Sequence, residues 1–127
     1  MKRLFVVTGT VLILIMLATT ISAAVLWSNT SQCLFSFSFN GSTGRTEVEI
    51  TTTGESCEID GTIKLYRKVA FIWIKEDEWS DSAIGDYLSI SGNFTGVSGT
   101  TYKAKLDATV TRNGVTDVIS REIEREC

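Results

Sequence analysis

The sequence contains no histidine and no proline. Without histidine, the chain cannot form the Ser–His or Cys–His nucleophile pairs, or the imidazole zinc sites, that many enzymes use. No glycine-rich loop leads from a strand into a helix, which excludes the usual phosphate-binding motif. The sequence does not exclude a catalytic pair of carboxylates, as in glycosidases, although a domain of this size offers little cleft for a substrate. We therefore predict a protein that is not an enzyme, with no catalytic residues and no cofactor.

Cysteine is also scarce, with only Cys33, Cys57 and Cys127. Their spacing matches no zinc motif. Outside the cell they tend to oxidise, and an odd number leaves one free or paired with another chain. We predict a disulfide between Cys33 and Cys57, because a hairpin from residue 33 to 53 returns the chain to its start. Cys127 is then the odd thiol, available for a disulfide dimer, and the rival pairing joins Cys33 to Cys127.

The first 24 residues have the three parts of a secretory signal. Lys2 and Arg3 are followed by a mostly apolar run over residues 4–17, and Ser22-Ala23-Ala24 supplies small residues for cleavage. This pattern predicts a signal helix that is removed after Ala24 and a domain that works outside the cell. The alternative is an uncleaved anchor over residues 4–27, with the domain again outside.

The net charge restricts the partners. The formal charge of −3 becomes −5 once Lys2 and Arg3 are removed. Nucleic acids and anionic membranes both select a basic face, so we predict neither as the main partner. A membrane would be contacted only through the signal segment, if that segment is retained.

Strand-like patterns fill the remaining sequence. Apolar residues alternate with polar ones in Phe35-Ser36-Phe37-Ser38-Phe39, and Asn113-Gly114 is a strong two-residue hairpin signal. Seven segments read as strands: 33–39, 45–53, 57–66, 69–74, 87–91, 101–111 and 115–123. The turn near Arg67-Lys68 is poorly marked, so the third and fourth segments could form one bent strand. The sequence predicts an all-β, seven-stranded antiparallel sandwich over residues 33–127, after an arm at 25–32.

The candidate binding site is the polar, acidic segment 76–86, which we interpret as a loop. Its chemistry-bearing residues, with one aromatic just beyond it, are Glu76, Asp77, Glu78, Trp79, Asp81 and Tyr87. Exposed aromatics on sandwich loops can bind sugars or proteins, and carboxylates can bind calcium. Because the spacing is not that of an EF-hand, a solvated acidic loop is the preferred interpretation. Phe71 and Trp73, in contrast, are predicted to lie in the core.

Two features resemble immunoglobulin-like sandwiches. Gly99-Thr100-Thr101-Tyr102 is similar to the tyrosine corner of that family, and Trp73 lies on a mid-chain strand as its core tryptophan does. Ala104 stands where the second cysteine of that family would be, so its inter-sheet disulfide cannot form. The resemblance implies an immunoglobulin-like fold.

The order of features is also similar to uncharacterised small secreted β-sandwich proteins of Gram-positive bacteria. The similarity covers Ile63 to Lys68, Trp73, Trp79, Gly99 to Lys103, Asn113-Gly114 and Arg121-Glu122. It implies secretion but brings no activity.

Together these observations predict an exported, non-enzymatic interaction or structural domain. Its partner would be a protein or a cell-wall glycan. The alternative function is a small carbohydrate- or calcium-binding module that uses residues 76–87.

Overall fold

The computed structural model describes residues 27–54 and 56–127. The predicted signal peptide and the start of the arm lie outside the described residues. The described part contains seven strands in chain order: β1 (Thr30–Asn40), β2 (Thr43–Thr52), β3 (Cys57–Val69), β4 (Ile72–Gly85), β5 (Tyr87–Thr95), β6 (Thr101–Arg112) and β7 (Val115–Glu126). In this part, no helix is long and apolar enough to span a membrane.

The strands form two antiparallel sheets, which confirms the predicted seven-stranded sandwich. One sheet has the order β1-β2-β5 and the other β4-β3-β6-β7. Constant-type immunoglobulin domains place the fourth strand beside the fifth. Here β4 pairs with β3 along its whole length instead, from Cys57↔Gly85 to Val69↔Ile72. The prediction of a loop at 76–86 is therefore wrong for residues 76–85, which belong to the edge strand β4.

The core lies between the sheets and is built from alternate residues of each strand. Val48 and Ile50 of β2 face the other sheet, while Glu47 and Glu49 lie on the outer surface. The buried side chains of β3 and β6 likewise alternate along each strand: Ile59, Ile63, Leu65, Tyr102, Ala104, Leu106, Ala108 and Val110. Burial of these apolar side chains is the main driving force for this fold.

Aromatic side chains close one end of the core. The ring centroids of Phe94 and Tyr102 are 5.3 Å apart, and those of Phe39 and Phe94 are 5.5 Å apart. The backbone N–H of Val97 donates a 2.8 Å hydrogen bond to the hydroxyl oxygen of Tyr102. A tyrosine that bonds the backbone a few residues upstream is the arrangement expected for a tyrosine corner.

The predicted arm is partly strand. β1 begins at Thr30, three residues earlier than expected, and Thr30 pairs with Thr52 of β2. The side chain of Asn29 donates hydrogen bonds to the backbone oxygens of Val110 and Val115. The chain therefore enters the sandwich at the end that holds the β6–β7 turn.

Candidate functional site

The turn between β3 and β4 consists of Ala70 and Phe71 and contains no glycine. Ala70 has a φ of 55°, which is the left-handed region. This conformation costs an L-residue roughly 1–2 kcal/mol, and two-residue hairpin turns normally place glycine, asparagine or aspartate there. The backbone is therefore strained at Ala70, in the turn between β3 and β4.

Apolar side chains surround this turn and face solvent. Phe71 is 94% exposed, Ile72 is 66% exposed and Val69 is 43% exposed. We call residues 69–72 the apolar tip. The last β3–β6 pair is Arg67↔Tyr102, so the hairpin extends beyond its neighbour strand and its apolar side chains stay exposed. The prediction that Phe71 lies in the core is wrong for this reason.

Cationic side chains lie immediately behind the apolar tip. The Nζ atoms of Lys68 and Lys103 lie 5.6 Å and 4.4 Å from the ring centroid of Trp73. Trp73 is half-buried on the outer face of its sheet between these two cations, so it too is not a core residue. Lys75 and Arg67 complete the set. We call Arg67, Lys68, Lys75 and Lys103 the cationic collar.

Two of the collar residues are neutralised and two are not. Arg67 Nε lies 2.5 Å from Glu76 Oε1, and Lys75 Nζ lies 3.1 Å from Glu78 Oε1. Among the residues that the structure describes, Lys68 and Lys103 form no ion pair. Their charges therefore remain available to a partner.

The predicted site residue Trp79 faces inward from the middle of β4. It is half-buried and packs against the core, with its ring centroid 6.4 Å from that of Phe94. A Cβ atom added at Gly92 of β5 would lie closer than 3.0 Å to the indole ring. Trp79 thus covers the open edge between the sheets, and its ring is not free to stack on a sugar.

The other predicted site residues do not converge. Tyr87 is exposed but begins β5, at the end of the sandwich opposite the apolar tip. The four acidic residues Glu76, Asp77, Glu78 and Asp81 are spread along the edge strand β4. Within residues 27–54 and 56–127, no group of three or more His, Cys, Asp or Glu side chains could hold a metal ion. The arrangement does not favour the calcium-binding alternative.

All three cysteines are free thiols. In β1, Cys33 is opposite Ile50 of β2, so the hairpin does return the chain towards its start as expected. The following residues, however, cross to the other sheet, where Cys57 begins β3 opposite Gly85. Cys127 lies at the far end of β7, with its Sγ 4.0 Å from the backbone oxygen of Gly41. The structure therefore contains neither the predicted Cys33–Cys57 disulfide nor its Cys33–Cys127 rival.

No family model and no curated protein matches the chain. Among solved structures, the chain is similar to CsgH of R. palustris, with 14% identity, a TM-score of 0.48, and coverage of 73% of this chain and 90% of that chain. A protein from Archaeoglobus fulgidus is 8% identical with a TM-score of 0.42, over 77% of this chain and 97% of that one. The β-glucuronidase of Parabacteroides merdae is 13% identical with a TM-score of 0.42; the match covers 76% of this chain but 13% of the enzyme. No functional conclusion follows from these similarities.

Proposed function

We propose that this protein is an exported, non-enzymatic interaction domain that binds its partner through the apolar tip. The observation that carries the proposal is Phe71, which is 94% exposed at the apex of a hairpin. Burial of a large apolar side chain lowers the free energy by roughly 1.5–3 kcal/mol. Phe71 does not obtain this stabilisation within the domain, because its ring faces solvent. A partner that covers the tip would supply it.

The backbone supports the same interpretation. Ala70 adopts a left-handed conformation where glycine would be less strained, directly beside the exposed phenylalanine. Strained residues persist where the surrounding structure holds them in place, and they cluster at functional sites. Two features of the apolar tip are therefore unfavourable in the isolated domain: backbone strain at Ala70 and exposure of Phe71. A role in binding a partner explains why both are present.

Export is part of the proposal because of the sequence that precedes the sandwich. Lys2 and Arg3, the apolar run over 4–17 and the small residues ending at Ala24 have the order of a secretory signal. A binding role without catalysis is in turn supported by the chemistry of the tip, whose side chains are apolar or cationic.

Site-specific photo-crosslinking tests this function. A photoreactive phenylalanine analogue placed at position 71 of the full chain should form a cross-linked product in the producing culture. The same analogue at Val118, which is 71% exposed on β7, is the matched control. The product at position 71 should decrease when Ile72→Ser is added. Equal cross-linking at both positions, or none at position 71, would contradict the proposal.

A further inference from the structure

The apolar tip and the cationic collar form successive layers along the hairpin. Phe71 lies at the apex, Val69↔Ile72 is the first strand pair, Lys68↔Trp73 the second and Tyr66↔Lys75 the fourth. Each pair lies about 3.4 Å behind the one before it, so the cations follow the first apolar pair by about 3–10 Å. Amphipathic helices at bilayer surfaces bury their apolar face about 5–10 Å deep, and the cations of this hairpin follow its apolar pair over a similar distance.

We infer that the partner of the tip is a bilayer surface that contains anionic lipids; this inference rests on the proposed function. Phe71 and Ile72 enter the boundary of the acyl chains. Lys68 and Lys103 bind the phosphates of the headgroups. Trp73 lies level with Lys68, one strand pair behind Ile72, and tryptophan is enriched at this interfacial level in membrane proteins.

The charge distribution favours approach with the tip foremost. At this end of the sandwich Glu76 and Glu78 neutralise Arg67 and Lys75, so the positive charge left for a partner is that of Lys68 and Lys103, although the chain as a whole is acidic. An anionic surface attracts these two cations and repels the acidic remainder of the chain. The prediction that an anionic membrane is not a partner was based on the net charge. That charge describes the whole chain and not the end that carries the apolar tip.

The shape of the site favours a bilayer over a protein partner. The apolar tip is a convex wedge formed by one hairpin that projects beyond β6. A bilayer accepts such a wedge without a shaped cavity, whereas a protein would have to supply an apolar pocket with an acidic rim. Trp27, where the described chain begins, contacts Arg121 of β7 and lies towards the opposite end, so it does not obstruct the tip.

Vesicle sedimentation tests the inference with the exported full-chain product. The protein should sediment with vesicles of phosphatidylcholine and phosphatidylglycerol, and should do so more weakly with phosphatidylcholine alone or at high salt. Phe71→Ser with Ile72→Ser should weaken binding at least about tenfold, and Lys68→Gln or Lys103→Gln about fivefold each. Ile84→Ser is the matched control, because Ile84 is 80% exposed at the other end of β4. All variants share one N-terminus, so its contribution cancels.

Fluorescence quenching locates the contact. Lipids brominated on the acyl chains should quench the tryptophan emission, and Trp73→Phe should remove this quenching while Trp27→Phe should not. Failure to sediment with the anionic vesicles, equal sedimentation of the tip variant and the wild type, or quenching that survives Trp73→Phe would overturn the inference. A protein cross-linked at position 71 without vesicle binding would overturn the membrane inference and leave the proposed function intact. Absence of both signals would overturn both.

Discussion

The carboxylate of Asp117 on β7 accepts a 2.7 Å hydrogen bond from the backbone N–H of Asn29, 88 residues earlier in the chain. It also accepts the backbone N–H groups of Ser28 and Thr30, at 2.9 Å each, and the hydroxyl of Thr30 at 3.0 Å. Asp117 is only 5% exposed. One buried side chain therefore attaches the start of β1 to the last hairpin.

Asp117→Asn should destabilise the domain. An amide retains one acceptor oxygen but turns an NH2 group towards backbone donors, so at least one of them loses its partner. We expect the free energy of unfolding to fall by about 1–3 kcal/mol, measured by urea denaturation. Asp107→Asn is the control, because Asp107 is exposed on β6 and should change stability little. Equal stability of the two variants would contradict the role of Asp117.

The stability should also depend on pH through this residue. Burial alone raises the pKa of Asp117, but hydrogen bonds from Ser28, Asn29 and Thr30 outweigh it and hold the pKa below the ordinary value of 3.8. Because the pKa of Asp117 is lower in the folded state, its ionised carboxylate contributes fully to the free energy of unfolding above the unfolded-state pKa. This contribution is lost as the pH falls from about 4 through the folded-state pKa. Urea denaturation across this range should show a smaller acid-induced loss in Asp117→Asn than in the wild type.

Local patterns predicted the strands, whereas long-range contacts could not be predicted. Alternation over residues 35–39 is visible within a few positions, because side chains of a strand point to opposite faces in turn. The bond between Asp117 and Asn29 has no such signal, since it depends on the assembled sandwich. The prediction of a loop at residues 76–85 is wrong because an edge strand with a mostly exposed, acidic face has the composition of a loop.

The exposure of the apolar tip could not be predicted from the sequence for a related reason. Val69, Phe71 and Trp73 have the composition of a buried strand, and composition does not show whether the neighbouring strand extends as far as they do. The one local signal was the absence of Gly, Asn or Asp at the turn. A poorly marked turn within an apolar, basic segment was itself the indication of an unusual hairpin.

Gly92→Ala should destabilise the domain through Trp79. The new Cβ would overlap the indole ring, which is held against Phe94 and is not the flexible end of a side chain. We expect a loss of about 1–3 kcal/mol in urea denaturation, as for overpacking of other cores. Ser91→Ala, at an exposed position of the same strand, is the control.

A double-mutant cycle then tests the contact itself. In a Trp79→Leu background, Gly92→Ala should cost clearly less than in the wild type. An equal cost in both backgrounds would show that Trp79 does not pack on Gly92, and would return Trp79 to the list of possible binding residues.

Ala70→Gly should stabilise the domain. Ala70 has a φ of 55°, which glycine adopts without steric cost. Relief of the strain stabilises the folded state, while the greater entropy of glycine stabilises the unfolded chain. We expect the first effect to be larger, so the free energy of unfolding in urea denaturation should rise by about 0.5–1 kcal/mol. The same change at Ala83, which lies within β4, should instead destabilise. A loss of stability in Ala70→Gly would contradict the strained turn.

The three thiols should differ sharply in reactivity. Cys33 is 7% exposed and Cys57 is 0% exposed, whereas Cys127 is half-buried at the chain end. Burial raises the pKa of the Cys33 thiol, against the opposing effect of the Arg121 guanidinium, so little of the reactive thiolate is present. An alkylating reagent should therefore modify Cys127 alone in the folded protein and all three cysteines in urea, as read by peptide mass mapping. Cys127→Ser should not react while folded, and should also lose any disulfide-linked dimer on a non-reducing gel. A Cys33–Cys57 peptide from the exported protein would contradict this arrangement, because it would require the two thiols to be linked rather than free.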